Sequence, residues 1–339
     1  QICLRRRFPA RNFQMKRLST LLLVFALSSC SFLSQPNTSS PQIERNILTG
    51  LEGRNGKVLA VKFDDTTFSH PQEGVESADV VFVTQVEAGL TRLMGIYSSN
   101  YPEVLGPVRS ARISDVDILA QFGKVGFLYS GSQSKLRPVL AAANIVNLSA
   151  ERNPPSIYFN DAMRTPPYAM MVKPNLLLPK TEAVSKVSTI GWNHGKKSTF
   201  ATPIVSATIH WPNAVYKATW SKSDKSFLLD HDNKPNMSSG GVQLGSPMMV
   251  IQMVTIKPSE YGDKFGGVTP KTTVTGAGKA YLLRNGTMTT VRWNRPTAQS
   301  PTSWTLEDGT EAFFQRGQVW FFLTDQEPDF EYPPTEPTN

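Results

Sequence analysis

The chain reads VLAVKF at residues 58–63, followed at once by Asp64 and Asp65, and DVVFVTQV at residues 79–86. Both runs are short, apolar and rich in β-branched residues, which is typical of buried strands. Similar runs occupy residues 92–97 and 125–129. We expect all four to be strands of one core.

Helices are predicted between and after these strands. Apolar residues recur at near-helical spacing from Ile113 to Phe122, and Ser114 with Asp117 resembles a capping box. A second helix is expected over residues 134–143. Strands that alternate with helices predict a mixed α/β domain over residues 57–198.

The sequence pattern changes after residue 198. Short β-rich segments follow, at residues 204–211, 215–220, 248–256, 271–275, 280–284, 289–293 and 318–323. Turn signals such as Asn285-Gly286 separate several of them. A mostly antiparallel β domain is predicted over residues 199–326, so the fold class is α+β. The proline- and acid-rich tail at residues 327–339 is expected to be disordered.

The first 29 residues have the order of a lipoprotein signal peptide. Lys16 and Arg17 precede the apolar run LLLVFAL at residues 21–27, and Leu27-Ser28-Ser29-Cys30 resembles the lipobox of bacterial lipoproteins, in which the cysteine is acylated. We therefore expect an extracytoplasmic protein held at a cell membrane by lipid, such as palmitate, on Cys30. Residues 30–56 are predicted to be a flexible tether. Residues 1–14 precede Met15 and take no part in the predicted fold.

Charge and cysteine content exclude several functions. The net charge is +8, but six of the 35 basic residues precede Cys30, and the rest of the chain holds 29 basic against 27 acidic residues. The excess charge belongs to the targeting segment, so no nucleic-acid partner is expected. Cys3 and Cys30 are the only cysteines, which excludes a disulfide, a thiol nucleophile or a cysteine metal site in the mature chain.

Other common motifs are incomplete. No two histidines are three or four residues apart, so no zincin-type site is predicted, and surface or loop positions are expected for His70, His194, His210 and His231. Gly276-Ala277-Gly278-Lys279 lacks the flanking residues of a phosphate loop and favours a hairpin turn. We predict no metal and no cofactor.

Polar residues concentrate between residues 74 and 112. Glu87 and Arg92 follow the second strand, and Arg109 and Arg112 lie three apart at a turn that leads into the first helix. Two guanidinium groups beside free backbone amides suit an anion. The alternative is that Arg109 and Arg112 form structural ion pairs with Glu87, Asp115 or Asp117. The sequence does not choose between these two interpretations.

Two further functions stay open at this point. Glu87 with Asp64 or Asp65 could form the carboxylate pair of a hydrolase that cleaves cell-wall material. A structural adaptor could instead use an aromatic surface formed by Trp293, Trp304 and Trp320, although tryptophans in short strands are more often core residues. Whether the protein is an enzyme is uncertain from the sequence.

Several motifs resemble the YerB-like bacterial lipoproteins. In the first half they are GVESAD (74–79), VEAGLTR (86–92) and GPVRSAR (106–112), and in the second half GAGKA (276–280), Gly286, Trp293, Asp308-Gly309 and GQVW (317–320). The resemblance covers residues 57–325. It implies a two-domain extracytoplasmic lipoprotein of unestablished activity.

One departure from the family pattern bears on function. After Arg164 the family pattern is Pro-His-Asn, whereas this chain has Pro166-Pro167-Tyr168, and residues 227–232 follow the family motif only loosely. A catalytic role of the missing histidine would leave this member inactive. The hypothesis is therefore a non-catalytic module that binds an envelope component or a membrane protein through Glu87, Arg92, Arg109 and Arg112, with the hydrolase as its alternative.

Overall fold

The computed structural model describes residues 43–187, 189–263 and 266–334. The predicted signal peptide, the predicted lipidation site Cys30 and the predicted tether as far as residue 42 lie outside these ranges. The last five residues of the predicted tail also lie outside them. None of the helices within the described ranges is long and apolar enough to cross a bilayer.

Short helices punctuate the first half of the chain. Within the described ranges the α-helices are α1 (Ile113–Leu119) and α2 (Arg137–Ala142). Single 3-10 turns or short 3-10 helices occupy Thr67–Ser69, Val75–Ser77, Glu87–Gly89, Ala120–Phe122, Ser134–Leu136, Ala150–Arg152 and Pro174–Lys180.

Strands account for most of the regular structure. The first half contains β1 (Leu59–Asp64), β2 (Val80–Gln85), β3 (Thr91–Tyr97), β4 (Val125–Leu128), β5 (Ile145–Asn147), β6 (Tyr158–Asn160) and β7 (Met170–Val172). The second half contains β8 (Thr202–Pro203), β9 (Ser206–Trp211), β10 (Ala214–Ser221), β11 (Ser226–His231), β12 (Lys234–Pro235), β13 (Gly245–Ser246), β14 (Met248–Met253), β15 (Thr255–Gly262), β16 (Val268–Thr273), β17 (Gly276–Arg284), β18 (Thr287–Arg295), β19 (Ser303–Thr305), β20 (Val319–Thr324) and β21 (Asp329–Glu331).

Strands of both halves join one eleven-stranded central sheet. Its order is β19-β18-β17-β14-β20-β2-β3-β1-β4-β5, with β8 paired to β18. Within this sheet the two halves meet where β20 pairs in parallel with β2. The α+β class is confirmed: the first half is mixed α/β and the second is mostly antiparallel β.

Alternation along β1 shows how the sheet separates two cores. Ala60 packs in the core that contains Ile113 and Ile118 of α1. Leu59 and its alternate neighbours pack in the opposite core, which is closed by the second sheet, β12-β11-β10-β9-β21 with β13 beside β11. Because side chains alternate between the faces of a strand, consecutive residues at the end of β1 serve different cores.

The segments expected to be unstructured next to the fold are ordered where the structure describes them. In the predicted tether, Leu48 is fully buried and the Asn46 side chain donates to Ser98 Oγ at 2.8 Å. In the predicted tail, β21 pairs with β9. The prediction of a flexible tether was therefore wrong for residues 43–56, and that of a disordered tail was wrong for residues 327–334. A few contacts are sufficient to hold each segment against the fold.

Two local predictions were wrong. The capping box of α1 begins two residues earlier than predicted, because the Arg112 N–H donates to Asp115 Oδ2 at 2.7 Å. Ser114 instead accepts the backbone N–H of Thr272 on β16. Gly276 begins strand β17 and does not form the predicted hairpin turn.

Candidate functional site

The carboxyl ends of β1 and β2 and the start of β3 place four polar side chains on the face that α1 covers. Asp64 lies opposite Arg92 in the β1–β3 register, and Thr84 lies opposite Arg92 in the β2–β3 register. Lys62, two residues before Asp64, shares this face. Each of the four side chains is at most 6% exposed.

The GPVRSAR segment joins this group from the loop before α1. The Arg109 N–H donates to the Lys62 carbonyl at 2.8 Å, and the Asp64 N–H donates to the Pro107 carbonyl at 2.9 Å. The loop therefore extends the edge of β1 through backbone hydrogen bonds. Arg109 and Arg112 consequently reach the same end of the sheet as Arg92.

Three carboxylates pair with three of the four cations. Lys62 Nζ lies 2.6 Å from Asp115 Oδ1, and both side chains are fully buried. The Arg109 guanidinium pairs with Asp64. Arg112 contacts both carboxylate oxygens of Glu87: Nη2 donates to Oε2 at 2.9 Å, and Nε lies 2.7 Å from Oε1 in an ion-pair contact.

Glu87 is held as an ionised acceptor. Burial raises the pKa of its carboxyl, but the hydrogen bonds and charge of Arg112, with a further hydrogen bond from Thr269, lower the pKa below its usual range overall. A general acid at neutral pH needs the opposite shift. This geometry gives no support to a hydrolase in which Glu87 is the acid.

Arg92 is the cation left without a partner. Its side chain is 6% exposed, and its Nε and Nη1 have no hydrogen-bond partner among the described residues. No carboxylate within the described part of the chain forms an ion pair with it. Burial lowers the pKa of Arg92 to about 10; the charge of Asp64 opposes this shift, and those of Arg112 and Arg109 add to it.

All four residues predicted to line the site lie near one another at this end of the sheet. Lys62 and Asp115 belong to the same cluster, although the sequence pattern did not single out Lys62, which lies inside an apolar strand. Asp117 does not take part, because it pairs with Lys271 at 3.3 Å. The ion-pair interpretation is confirmed for Arg112, which pairs with Glu87, whereas Arg109 pairs with Asp64, a partner that was not predicted. The anion-site interpretation stays a prediction.

A second polar cluster lies on the opposite face and was missed in the sequence. Asp65 accepts hydrogen bonds from Tyr216 Oη at 2.8 Å and from Thr91 Oγ1 at 2.6 Å. Two histidine rings, His70 and His231, stack with centroids 4.7 Å apart, and their Nε2 atoms lie 3.3 and 3.7 Å from the Asp65 carboxylate.

These two histidines change the expected picture of scattered surface residues. His231 is buried within β11, so the surface or loop position predicted for it was wrong, and the His70 side chain is 17% exposed. Although burial raises the pKa of Asp65, the charges of His231 and His70 lower it to about 2. His70 and His231 are 161 residues apart in the sequence, so no local spacing pattern could predict that they meet.

An open cavity of about 630 Å³ borders the histidine cluster. Its lining includes His70, Phe68, Arg164 and Tyr168. The guanidinium of Arg109 sits 5.5 Å from the centre of the Tyr168 ring. Tyr168, which lies where the chain departs from the Pro-His-Asn pattern, therefore borders the cavity and contacts Arg109.

The tryptophans do not form an adaptor surface. Trp293 and Trp304 are each 3% exposed and Trp320 is fully buried. Trp304 contacts Phe321 in the central core, with ring centroids 5.7 Å apart. The aromatic adaptor hypothesis was wrong, because these side chains fill the core.

Comparison with known proteins identifies the family. The model of the protein of unknown function (DUF3048) N-terminal domain matches residues 48–187, and that of its C-terminal domain matches residues 207–321. YerB of Bacillus subtilis (strain 168), which is named as a lipoprotein, is 32% identical over 114 residues, and this match covers 32% of the chain and 33% of YerB.

A solved structure shares the fold. The crystal structure of the YerB protein from Bacillus subtilis superposes with a TM-score of 0.70 at 18% identity, over 84% of this chain and 99% of that one. Both domain models are matched in order, and the fold extends over nearly all of the YerB structure. The chain is therefore a YerB-like member of the DUF3048 family.

Proposed function

We propose that this protein is a lipid-anchored, extracytoplasmic binding module that holds an anionic group of a cell-envelope component around Arg92, Arg109 and Arg112. The lipobox-like sequence ending in Cys30 and the lipoprotein name of YerB support the anchor. The excess positive charge of the cluster supports the anionic ligand.

The observation that carries this proposal is the unpartnered Arg92. The cluster contains four cations, Lys62, Arg92, Arg109 and Arg112, and three carboxylates, Asp64, Glu87 and Asp115. Each carboxylate is already paired with another cation. Burial of an unpaired charge costs several kcal/mol, on the order of the cost of breaking a buried ion pair. A bound anion would offset that cost.

The ligand would be a phosphate or a carboxylate. A guanidinium presents a planar set of donors that matches either group in a bidentate manner. Arg109 and Arg112 have side chains that are 22% and 13% exposed, so the cluster reaches solvent on their side. An envelope component or a membrane protein could present such a group there.

The test measures anion binding by the full chain in detergent. We expect inorganic phosphate or a dicarboxylate to raise the Tm of the wild-type protein in proportion to ligand concentration. Arg92→Met should lose this shift. Arg137→Met is the matched control, because Arg137 pairs with Glu151 on the surface, with side chains 60% and 44% exposed, and this variant should keep the shift.

Co-sedimentation with purified cell-wall sacculi tests the source of the anion. Pelleting of wild-type protein and of Arg137→Met, but not of Arg92→Met, would place the ligand in the wall. Anion-dependent Tm shifts without pelleting would instead assign the anion to a membrane-protein partner. If neither anion shifts the Tm of the wild-type protein, Arg92 is not a ligand-binding residue and the proposal is wrong.

A further inference from the structure

We infer that Asp65, His70 and His231 form a binding site for a divalent transition-metal ion of the zinc class. This site lies on the face of the central sheet opposite the arginine cluster and does not depend on the anion-binding proposal. One aspartate oxygen and two imidazole nitrogens supply its ligands.

The spacing of the three groups fits a metal ion. One ligand atom from each residue lies within 4.8 Å of the other two. His70 Nε2 is 3.3 Å and His231 Nε2 is 3.7 Å from oxygens of the Asp65 carboxylate. Metal–ligand bonds of about 2.0–2.2 Å at tetrahedral or octahedral angles require ligand atoms separated by roughly 3–3.6 Å. The two rings, whose planes differ by 11°, would tilt toward each other so that both Nε2 lone pairs meet one ion.

The second ring nitrogen of His70 is held as in metal sites, and that of His231 has a carboxylate oxygen nearby. His70 Nδ1 lies 3.1 Å from Asn236 Oδ1, a contact that places the Nδ1 proton toward the amide and makes Nε2 an acceptor, which receives the Gln72 amide at 3.2 Å and could coordinate in its place. His231 Nδ1 lies 3.7 Å from a carboxylate oxygen of Asp232. Oxygen acceptors behind coordinating histidines fix ring orientation and raise ligand basicity.

Two atoms beside this group have no partner of their own. His231 Nε2 is buried and forms no hydrogen bond among the described residues. Gln72 Nε2 lies 3.1 Å from Asp65 Oδ1 and 3.2 Å from His70 Nε2, while Gln72 Oε1 is buried without a hydrogen-bond partner in the described part of the chain. A half-turn of this amide would present its oxygen as a fourth ligand.

The ligand set selects the class of metal. Two imidazoles with one carboxylate suit zinc and its neighbours in the first transition row, whereas magnesium and calcium prefer oxygen ligands alone. Tyr216 and Thr91 hold the carboxylate of Asp65 in place from behind. These hydrogen bonds orient the aspartate in the same way as the Asn236 contact orients His70.

An ion here would connect the two halves of the chain. Asp65 and His70 belong to the first half, and His231 lies on β11 of the second sheet. Since three ligands from both halves come together only in the folded state, binding would add directly to folding stability. Zinc should therefore raise the Tm of the protein, and a chelator should remove the increase.

The experiment uses the full chain, freed of metal by chelation and dialysis. We expect one equivalent of Zn²⁺ per chain by calorimetric titration, and visible absorption bands when Co²⁺ replaces Zn²⁺. His231→Gln and His70→Gln should lose both signals. His210→Gln is the matched control, since His210 also contacts a carboxylate, Asp329 at 2.9 Å, but is partly exposed at another site.

A milder variant separates a loss of metal binding from misfolding. Asn236→Ala leaves all three ligands in place and should weaken Zn²⁺ binding by about 10–100-fold. Circular dichroism establishes that each variant is folded before titration. Equal stoichiometry in wild-type, His231→Gln and His70→Gln, or no binding by the folded wild-type chain, would overturn the metal site and leave a purely hydrogen-bonded cluster.

Discussion

Asp64 and Asp65 are consecutive residues whose carboxylates serve opposite faces of the central sheet: Asp64 pairs with Arg109, and Asp65 accepts hydrogen bonds from Tyr216 and Thr91. Alternation of side chains at the end of β1 produces this separation. The peptide bond between Asp64 and Asp65 thus connects the arginine cluster with the histidine cluster.

Arg92→Met should make the protein more stable, by about 1–3 kcal/mol, because it removes a buried charge that has no partner. Arg112→Met should do the reverse, since it leaves Glu87 buried without its cationic partner. Urea unfolding of both variants measures the two signs. A loss of stability in Arg92→Met as large as that in Arg112→Met would show that the buried charge of Arg92 does not destabilise the fold.

Asp64→Asn should increase the affinity for phosphate while it lowers stability by roughly 2–4 kcal/mol. The variant frees a second guanidinium, that of Arg109, but the amide oxygen can still accept the hydrogen bonds from Thr66 that Asp64 Oδ1 receives at 2.7 and 2.8 Å. Titration of the Tm with phosphate, compared with wild type, gives the affinity change. An unchanged affinity would show that Arg109 does not face the ligand.

Lys62→Met should destabilise the fold by about 3–5 kcal/mol, because it leaves the fully buried Asp115 without its cation. The double variant Lys62→Met/Asp115→Leu should recover part of the loss, although it also removes the acceptor at the start of α1. Urea unfolding of the two single variants and the double variant measures the coupling. Additive losses would mean that this pair contributes no interaction energy.

Tyr216→Phe should cost about 1.5–3 kcal/mol, the value of a hydrogen bond to a charged group, because Tyr216 donates to the buried Asp65. Tyr281→Phe is the control: Tyr281 donates to Glu327 at 2.6 Å at the surface, and its loss should be small. Thermal unfolding compares the two. Equal losses of stability would mean that the hydrogen bond from Tyr216 to Asp65, which links the two halves, contributes no more than a surface hydrogen bond.

Stability should fall between pH 6.5 and about pH 4 partly through His194. Burial, with smaller contributions from Arg316 and Arg284, lowers the pKa of His194 to about 4 in the fold. The unfolded chain therefore binds the proton first, so stability from this group is present above pH 6.5 and is lost as the pH falls toward 4. His194→Gln should flatten that part of the pH profile measured by urea unfolding.

The sequence predicted those strands and helices whose hydrophobic pattern lies within one continuous segment. The apolar run at residues 79–86 became β2, and the near-helical spacing from Ile113 became α1. The polar cluster was found because Glu87, Arg92, Arg109 and Arg112 are close in sequence and lie at element ends. Lys62 was overlooked because a charged residue inside an apolar strand gives no local sign of its partner, Asp115.

What the sequence could not predict depends on long-range pairing. His231 gave no sign of Asp65 or His70, since β10 and β11 reach that face only through the packing of the second sheet. The sequence favoured core positions for Trp293 and Trp320 but left a surface position open. Residues 43–56 are held in place by a few polar contacts, such as that of Asn46 with Ser98. A hydropathy pattern does not predict such contacts.

The position of β20 sets the order in which this sheet can be completed. Residues 319–324 follow every other strand of the central sheet in the chain, yet they lie between β14 and β2. Until that segment is available, β2 and β14 each keep an unpaired edge, and the two halves have no sheet contact. A chain in which residues 319–324 have not yet been synthesised therefore cannot join the two halves of the central sheet through backbone pairing.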